Sequence, residues 1–388
     1  MKKLLSLSMA AVMALSLAAC GGSGDTAASG STATNATAEG AASAEITGIA
    51  QVCDVGTIDD ESFNQGCWTA VEAYGEANGI NVDYYLPPSE DANDEDRQTL
   101  IRNAVNDGAN TVVCVGYLYG PSLAWAATEY PDVHFIAVDV TVADIGTETI
   151  PANVYCITYK EEQAGYLAGY AAVKDGFTEL GFLGGMAVPA VIRFGYGYVQ
   201  GADAAAQELG TNVNIKYWYG GAFSGDANIT AKMESWYSAG TQVVFACGGG
   251  IYTSAVEAAV KHDGKVIGVD VDQNYIGEQG VADGKYSYNP FVTSAMKGLS
   301  AGVTDALEHV AAGTWDTIAG TNFIYGLQEG DYVGLPTAED SWNFSTFTVE
   351  EYEAEVEKIR NGEITVDNNS DDATKPTTSE YVTVDYQV

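Results

Sequence analysis

Basic residues are scarce in this chain of 388 residues. Lys and Arg together number 16, Asp and Glu number 53, and the formal net charge at pH 7 is −37. A surface this acidic repels nucleic acid and anionic lipid, and it offers no positive field to phosphorylated substrates. Solubility alone would account for such a charge. The balance also favours a neutral or cationic ligand and argues against nucleic acid as a partner.

Groups that commonly carry catalysis are few as well. The three histidines, His134, His262 and His309, fall at ordinary strand-like or helix-like positions. Ser-His-Asp, Cys-His and HExxH arrangements are not visible in the sequence. These gaps argue against an enzyme and favour a protein that acts by binding.

Two short motifs imitate cofactor or metal sites but lack the residues that such sites require. The run from Gly248 to Gly250 has neither the GxGxxG spacing nor the Lys and Ser/Thr of a phosphate-binding loop. The stretch from Asp270 starts like a calcium loop, but Tyr275 stands where that loop needs Gly and Val281 where it needs Glu. We therefore expect neither a cofactor nor a bound metal.

Cysteines that could pair are also missing. The chain has six cysteines and no close CxxC pair. Four of them lie in apolar, strand-like runs, where a cysteine behaves as a small buried hydrophobic residue: Cys53, Cys114, Cys156 and Cys247. The sequence indicates neither a disulfide framework nor a zinc site.

After residue 17 the chain has no apolar run long enough for a membrane span, which needs about 20 residues. Residues 1–20 carry Lys2 and Lys3 before an apolar run, which is typical of a secretory signal. The run ends in Leu-Ala-Ala-Cys, similar to a bacterial lipobox, so we expect Cys20 to become a lipid-modified N-terminus at the outer face of the cell membrane. The alternative is an ordinary signal with an incidental cysteine. Residues 21–45, rich in Gly, Ser, Thr and Ala, predict a flexible tether.

Strand-like and helix-like segments alternate from about residue 46 onward, which predicts parallel sheets with crossover helices. Two successive series of such units predict two α/β lobes. We place the first lobe at residues 46–155 with a return segment at about 286–322. The second lobe is expected at 156–285 with a C-terminal segment at about 323–368. Residues 369–388 are mostly polar and predict a loosely held tail.

The stretch Asp54–Trp68 joins the first predicted strand to the first predicted helix. Open parallel sheets bind ligands just outside the carboxyl ends of their strands. The stretch contains Asp54, the ring of Phe63 and the amide of Asn64, a set that suits a flat, uncharged ligand with hydrogen-bonding groups. Considered alone, it fits a capped turn equally well.

Other predicted strands also end at Gly or Asp, namely at Gly116, Asp139, Gly184, Gly248 and Asp270. If two lobes face one another, these positions converge on a shared cleft. Glycine lets the backbone approach a ligand closely, and each aspartate can accept two hydrogen bonds from a diol or from ring N–H groups. The set favours a binding cleft over a series of unrelated turns.

These residues belong to a longer pattern that resembles the basic membrane protein family of ABC-transporter solute-binding lipoproteins. The best-understood members of that family are purine nucleoside receptors. The resemblance covers roughly residues 45–368. Besides the lipobox and the stretch that ends at Trp68, it rests on these motifs: EEQAGYLAG at 161–169, GFLGG at 181–185 with Arg193-Phe194, GVDVDQ at 268–273, TSAMK at 293–297, and YGL, GL and FT at 325–348.

Membership would imply a type I periplasmic-binding fold, in which two doubly wound parallel-sheet lobes are joined by a three-stranded hinge and close on the ligand. It would also imply capture of a nucleoside, here expected to be a purine nucleoside, and its delivery to the permease of an ABC importer without any bond breaking. The lipid would be the contact with the membrane, and we expect a monomer.

The resemblance implies a ligand site of eight residues: Asp54, Phe63, Asn64, Asp139, Phe194, Gly248, Asp270 and Lys297. Phe63 and Phe194 would sandwich the base, since base–aromatic stacking tolerates different bases. Asp270 and Lys297 would hold the ribose hydroxyls, with backbone from the glycine nearby. The remaining residues would face the base or the cleft.

The sequence also departs from the family pattern. Thr57 stands where the family often has a second glycine, and Cys53 and Cys67 flank the ligand loop, which leaves the base preference open. Two alternatives remain at this stage. The same fold could bind a sugar or a signalling molecule, or the chain could be an enzyme that cleaves nucleosides.

Overall fold

Two sheets covered by helices make up the described residues, 45–388, of the computed structural model. The predicted signal, its lipidation candidate Cys20 and the predicted tether up to residue 44 lie outside the described residues. The strands within 45–388 are β1 (Ile49–Cys53), β2 (Val82–Tyr85), β3 (Thr111–Val115), β4 (His134–Val138), β5 (Val154–Tyr159), β6 (Glu179–Gly184), β7 (Val213–Tyr219), β8 (Val243–Cys247), β9 (Lys265–Asp270), β10 (Phe291–Lys297), β11 (Asn322–Tyr325), β12 (Val333–Gly334) and β13 (Val382–Tyr386).

The helices alternate with these strands, as the sequence pattern predicts. They are α1 (Phe63–Asn78), α2 (Asp94–Asn106), α3 (Gly120–Glu129), α4 (Val142–Ile145), α5 (Glu161–Lys174), α6 (Pro189–Leu209), α7 (Ala227–Ser238), α8 (Tyr252–Ala259), α9 (Asn274–Ala282), α10 (Leu299–Ala311) and α11 (Val349–Arg360), with 3₁₀ turns at Tyr117–Tyr119 and Trp315–Thr317. Local signals set several of the helix starts. Asn93 caps α2 and Thr348 caps α11, each within a capping box that satisfies free N–H groups of the first turn.

Each sheet is the centre of one lobe. The first has the strand order β2-β1-β3-β4-β5-β11, and all its pairs are parallel. The second has the order β13-β7-β6-β8-β9-β10-β12, in which only the β10–β12 pair is antiparallel. Central strands such as β3 and β8 are buried at every residue, because helices cover both faces of the sheet. The structure confirms the predicted α/β class with two parallel-sheet lobes.

The chain passes between the lobes three times. It leaves the first sheet after β5, returns between β10 and α10, which packs on α1, and crosses again between β11 and β12. These crossings correct the expected boundaries. All of β5 belongs to the first sheet, so the first lobe continues to Tyr159 and does not end at residue 155. Strand β10 pairs with β9 in the second sheet, so the return begins at Leu299 and not near residue 286. Local sequence shows that a strand is buried but does not identify its partner.

The predicted loose tail at residues 369–388 is also wrong for much of its length. Strand β13 pairs in parallel with β7, from Val382 opposite Val213 to Tyr386 opposite Tyr217. The signal for it is the alternation of Val382, Val384 and Tyr386, the period expected of a half-buried strand. The polar, Pro- and Thr-rich residues before it obscured that pattern.

Helices α5 and α6 pack more closely than ordinary side chains allow. Their contact surface contains four glycines: Gly165, Gly169, Gly197 and Gly201. A Cβ at Gly165 would clash with the carbonyl oxygen of Phe194, and one at Gly197 would clash with that of Glu162. Side chains normally hold helix axes about 8–10 Å apart, and glycine removes that spacer. The close contact brings the first turn of α5 beside the start of α6, where a charged cluster forms.

The five cysteines within residues 45–388, Cys53, Cys67, Cys114, Cys156 and Cys247, are all buried and unpaired with one another. None of the helices between residues 45 and 388 combines the length and the apolar character that a membrane span needs.

Candidate functional site

All eight residues of the predicted site line one cavity of about 320 Å³ between the lobes. Its walls come from the carboxyl ends of β1, β3 and β4 in the first lobe, and from those of β8, β9 and β10 with the start of α6 in the second. A parallel sheet brings the ends of its strands to one edge, which is why residues far apart in sequence meet here. The volume lies within the range of about 300–1,000 Å³ that is usual for small-molecule sites. The role of each residue stays a prediction.

Lys297, the last residue of β10, joins carboxylates of both lobes. Its Nζ donates to Asp139 Oδ2 at 2.5 Å in the first lobe and to Glu161 Oε1 at 3.3 Å at the start of α5. Glu161 Oε2 in turn accepts a hydrogen bond from Arg193 Nε at 2.7 Å. The side chains of Lys297 and Glu161 are 2% and 0% exposed. Four charged side chains of alternating sign therefore form a chain of ion pairs that is largely buried: Asp139, Lys297, Glu161 and Arg193. We call this chain the ion-pair network.

Pairing keeps these groups charged in spite of their burial. Burial disfavours the ammonium of Lys297, but Asp139 and Glu161 outweigh it and raise the pKa of Lys297 above its ordinary value. Burial also favours the neutral acid at Glu161, yet Arg193 and Lys297 together lower the pKa of Glu161. Burial raises the pKa of Asp139 to about 6, and Lys297 offsets part of this rise. Lys297 and Glu161 therefore stay ionised at neutral pH.

Asp54 lies at the end of β1, against the backbone that follows β3. A Cβ at Gly116 would clash with the carboxylate of Asp54, and Gly116 has a φ of +111°, so both space and backbone geometry require glycine here. The backbone N–H of Leu118 donates to Asp54 Oδ2 at 3.3 Å. Burial raises the pKa of Asp54 to about 7, and this hydrogen bond offsets only part of the rise. Near neutral pH, Asp54 can therefore donate a hydrogen bond as the acid or accept one as the carboxylate.

Two strand-end aspartates have left-handed backbone conformations. Asp139 has a φ of +59° and Asp270 a φ of +67°. A non-glycine residue in this region is strained by about 1–3 kcal/mol, and such residues cluster at ligand sites. Asp270 also joins the lobes, because Ser62 Oγ donates to its Oδ2 at 2.6 Å. A second contact between the lobes lies close by, where Gln273 Nε2 donates to the carbonyl oxygen of Glu61 at 2.8 Å.

The two phenylalanines reach the cavity from different lobes. Phe63 is the first residue of α1 and is half-buried, and Lys297 Nζ lies 4.7 Å from the centre of its ring. Phe194 on α6 is 2% exposed and packs edge-on against Phe245, with ring centres 5.9 Å apart. A planar ligand between the lobes could contact both rings only while the lobes face each other. The predicted base sandwich is compatible with this placement and stays a prediction.

Two buried oxygens of the cavity lining have no hydrogen-bond partner within the described range. They are Asn64 Oδ1 and Asp139 Oδ1. The amide nitrogen of Asn64 is engaged with the carbonyl oxygen of Val55 at 3.0 Å and with Asp60 Oδ2 at 3.1 Å, so only its oxygen is available. An acceptor that is buried without a donor costs about 1–3 kcal/mol. A ligand that presents N–H or O–H groups at these two positions would remove that cost.

The lining carries an excess of negative charge. It contains five aspartates, Asp54, Asp60, Asp139, Asp144 and Asp270, and two cations, Arg193 and Lys297. Each cation is already paired with a carboxylate of the ion-pair network. Among residues 45–388, no three His, Cys, Asp or Glu side chains are grouped as a metal ion would require.

Several residues at or behind this lining are not among the eight predicted from the sequence. Arg193 and Glu161 belong to the family motifs but not to the predicted site, and their charge beside apolar runs is the signal that could have indicated a buried pair. Phe223 follows β7 in an irregular loop, and its ring would lie 2.9 Å from a Cβ at Gly248. Ser370 belongs to the segment expected to be a loose tail, yet it lines the cavity. No local pattern indicated either of the last two.

Known sequences resemble this chain over most of its described length. A family model described as "ABC transporter substrate-binding protein PnrA-like" matches residues 48–370. The chain is 31% identical over 375 residues to the CD4+ T-cell-stimulating antigen of Listeria monocytogenes, covering 93% of this chain and 97% of that protein. It is 30% identical over 299 residues to the ABC transporter nucleoside-binding protein BmpA of Lactococcus lactis, covering 74% of this chain and 82% of that protein.

Solved structures share the fold at lower sequence identity. An ABC transporter solute-binding protein from Aeropyrum pernix K1 superposes with a TM-score of 0.69 and 21% identity, covering 84% of this chain and 94% of that one. A solute-binding protein from Conexibacter woesei gives a TM-score of 0.63 at 24% identity, covering 83% and 99%. These similarities support the two-lobed periplasmic-binding architecture.

Proposed function

The chain belongs to the family of PnrA-like ABC transporter substrate-binding proteins, and from that premise we propose that it captures nucleosides, with purine nucleosides preferred, between its two lobes. The bound nucleoside would then pass to the permease of an ABC importer. The observation that carries this proposal is the combination of two rings with unpaired hydrogen-bond acceptors in one cavity between the lobes. The name of the Lactococcus relative, a nucleoside-binding protein, points the same way.

The charges of the cavity support an uncharged ligand. Five aspartates surround two cations that are already paired, so a phosphate would meet repulsion and no free cation among the lining residues that the structure describes. A nucleoside presents what the lining can use: a planar base for the rings, N–H groups for acceptors, and a diol for carboxylates. We therefore propose that nucleosides bind and that nucleotides do not.

The proposed mechanism is closure and not catalysis. A ligand that touches residues of both lobes gains some of those contacts only in the closed form, so binding shifts the population toward closure. Two direct contacts join the lobes, from Ser62 to Asp270 and from Gln273 to Glu61, and the proposal takes them to break when the lobes open. The permease would recognise this form.

Isothermal calorimetry on the purified full-length protein in mild detergent tests the proposal. We expect heat of binding and a 1:1 stoichiometry with adenosine, guanosine or inosine, weaker binding with cytidine, and none with the matching nucleoside 5′-monophosphates. Ribose alone should bind weakly or not at all. Absence of heat with every nucleoside at millimolar concentration would contradict the proposal, and tight binding of a free sugar would favour a sugar receptor. Release of free base from inosine would indicate an enzyme.

Phe63→Ala provides the residue-level control. Loss of one base–aromatic stack is worth about 1–3 kcal/mol, so we expect the affinity to fall by about 5- to 160-fold. Phe323→Ala is the matched variant, because Phe323 is an exposed ring, 42% accessible, on edge strand β11. Both variants should unfold cooperatively. Equal affinity in the two variants would show that Phe63 does not contact the base.

We also propose that Cys20 carries a lipid that holds the protein at the outer face of the cell membrane. The support is the sequence of residues 1–20 alone, which lie outside the described residues. Cys20→Ser should move the protein from the membrane fraction to the soluble fraction after cell lysis, as judged by immunoblotting. A variant that stays with the membrane to the same extent as the wild type would argue against the anchor.

A further inference from the structure

Residues 367–379, which we call the C-terminal loop, are fixed to the outer face of α6. Gln200 makes two reciprocal hydrogen bonds with Asp367: its Nε2 donates to the carbonyl oxygen at 3.0 Å, and its Oε1 accepts from the backbone N–H at 2.9 Å. The family match ends at residue 370, so most of this loop and all of β13 lie beyond the part of the chain that the match covers.

Two more anchors hold the far side of the C-terminal loop. Tyr196 donates its hydroxyl to Thr374 Oγ1 at 3.1 Å. Asp203, which is 8% exposed, accepts from both the backbone N–H and the hydroxyl of Ser379, at 2.9 and 2.6 Å. Together with Gln200, these anchor residues follow a spacing of four and three along α6, so they share one face of the helix. The same helix carries Phe194 into the cavity.

The tip of the C-terminal loop reaches the ligand cavity. Ser370 is part of the cavity lining, together with residues of both lobes. Backbone hydrogen bonds to Asn369 Oδ1 and Asp371 Oδ1 fix the chain on either side of it, at 2.7 and 3.0 Å. Lys375 Nζ closes the tip by donating to Asp372 Oδ1 at 2.8 Å. Ser370 is solvent-exposed, and its hydroxyl is not engaged with another residue of the described range.

We propose that the C-terminal loop forms part of the rim of the ligand cleft, that the Ser370 hydroxyl contacts the bound ligand, and that the loop slows ligand release. This inference rests on the proposed function, because it takes the ligand to be a nucleoside in the same cavity. The loop has three aspartates and one lysine, so the ligand group that meets Ser370 is not an anion. The C-terminal segment is thereby a specificity element and not a passive tail.

Stopped-flow fluorescence and calorimetry on the full-length protein, with whichever of adenosine, guanosine and inosine the wild type binds most tightly, test the proposal. A neutral hydrogen bond is worth about 0.5–1.5 kcal/mol, so Ser370→Ala should weaken affinity by about 2- to 12-fold, mainly through faster dissociation. Ser370→Trp should weaken it by more than tenfold by filling the rim. Asn368→Trp is the matched control, because Asn368 is exposed on the same loop but does not line the cavity. Gln200→Ala removes one anchor and should also speed dissociation.

The outcomes separate this inference from the proposed function. If wild-type protein binds nucleoside and Ser370→Trp keeps both its affinity and its dissociation rate, the loop is not part of the rim and only this inference fails. Equal losses in Ser370→Trp and Asn368→Trp would likewise overturn it, since they would reflect a general disturbance of the loop. If the wild type binds no nucleoside, the proposed function fails, and the contact fails with it. Thermal unfolding of every variant identifies any that are misfolded, and Ser370→Ala, which removes a single exposed oxygen, then decides.

Discussion

Replacing Lys297 by Met is expected to lower the free energy of unfolding by about 3–5 kcal/mol, because it removes the central cation from a buried set of charges. Asp139 would lose its partner at 2.5 Å, and Glu161 would keep only Arg193. Met has a similar length and no charge, so the packing change is small. Ligand binding should fall at the same time, since Lys297 lines the cavity. Urea unfolding followed by circular dichroism measures the change in stability.

Two matched variants isolate the effect of burial. Lys174→Met breaks a pair with Glu208 whose side chains are 21% and 44% exposed, and exposed pairs contribute about 0–1 kcal/mol. The double variant Lys297→Met, Asp139→Asn removes the unpaired carboxylate as well, so it should recover part of the lost stability. An exposed pair contributes less than about 1 kcal/mol. A loss in that range for Lys297→Met, or no recovery in the double variant, would show that the ion-pair network does not stabilise the fold as a buried set of charges.

Asp54→Asn should stabilise the protein, and the gain should grow as the pH rises. Burial raises the pKa of Asp54 from 3.8 to about 7 in the folded protein. Well below pH 3.8 the carboxyl is protonated in both the folded and the unfolded state, so its titration has no effect on stability. Between pH 3.8 and about pH 7 the carboxyl is ionised in the unfolded state but still protonated in the folded state. The wild type therefore loses stability as the pH rises, until the pH passes about 7. The free energy of unfolding of the variant should therefore exceed that of the wild type by at most about 4 kcal/mol at about pH 8.

Urea titrations of wild type and variant at about pH 4.5 and about pH 8, on either side of the shifted pKa, check this prediction. The substitution keeps the local hydrogen bond, because the new amide oxygen can accept from the N–H of Leu118 as the carboxylate does. Asp83→Asn, at an exposed position on edge strand β2, is the control and should show no comparable dependence on pH. A stability difference that is equal at the two pH values would mean that Asp54 titrates normally in the folded protein.

Lys297 and Asp54 respond to burial in opposite ways at one site. Lys297 lies among carboxylates and stays charged, whereas Asp54 has only backbone N–H groups and the guanidinium of Arg97 to offset its burial, and it tends toward the neutral acid. The cavity can therefore offer fixed charges near the hinge and a neutral hydrogen-bond donor at the end of β1. That combination is compatible with a ligand that presents both hydroxyl groups and ring nitrogens.

The sequence was sufficient for the features that depend on short stretches of chain. Alternating apolar strands and amphipathic helices determined the α/β class, since burial on both faces requires continuous apolar strands. Strand-end residues such as Asp54, Asp139 and Asp270 could be identified because parallel sheets gather those ends at one edge. The family resemblance added Phe194, Lys297 and the expected pairing of the two rings, and all eight residues lie around one cavity.

Only the tertiary structure decided the features that depend on pairing between distant segments. Strand β10 belongs to the second sheet and not to the return segment of the first lobe. Strand β13 pairs with β7 although most of the second lobe lies between them in sequence. Local sequence determines that a strand forms, but the hydrogen-bonding edge it meets depends on the whole fold. For the same reason the pairing of Glu161 with Arg193 and Lys297, and the reach of Ser370 to the cavity, appear only when segments that are distant in sequence pack together.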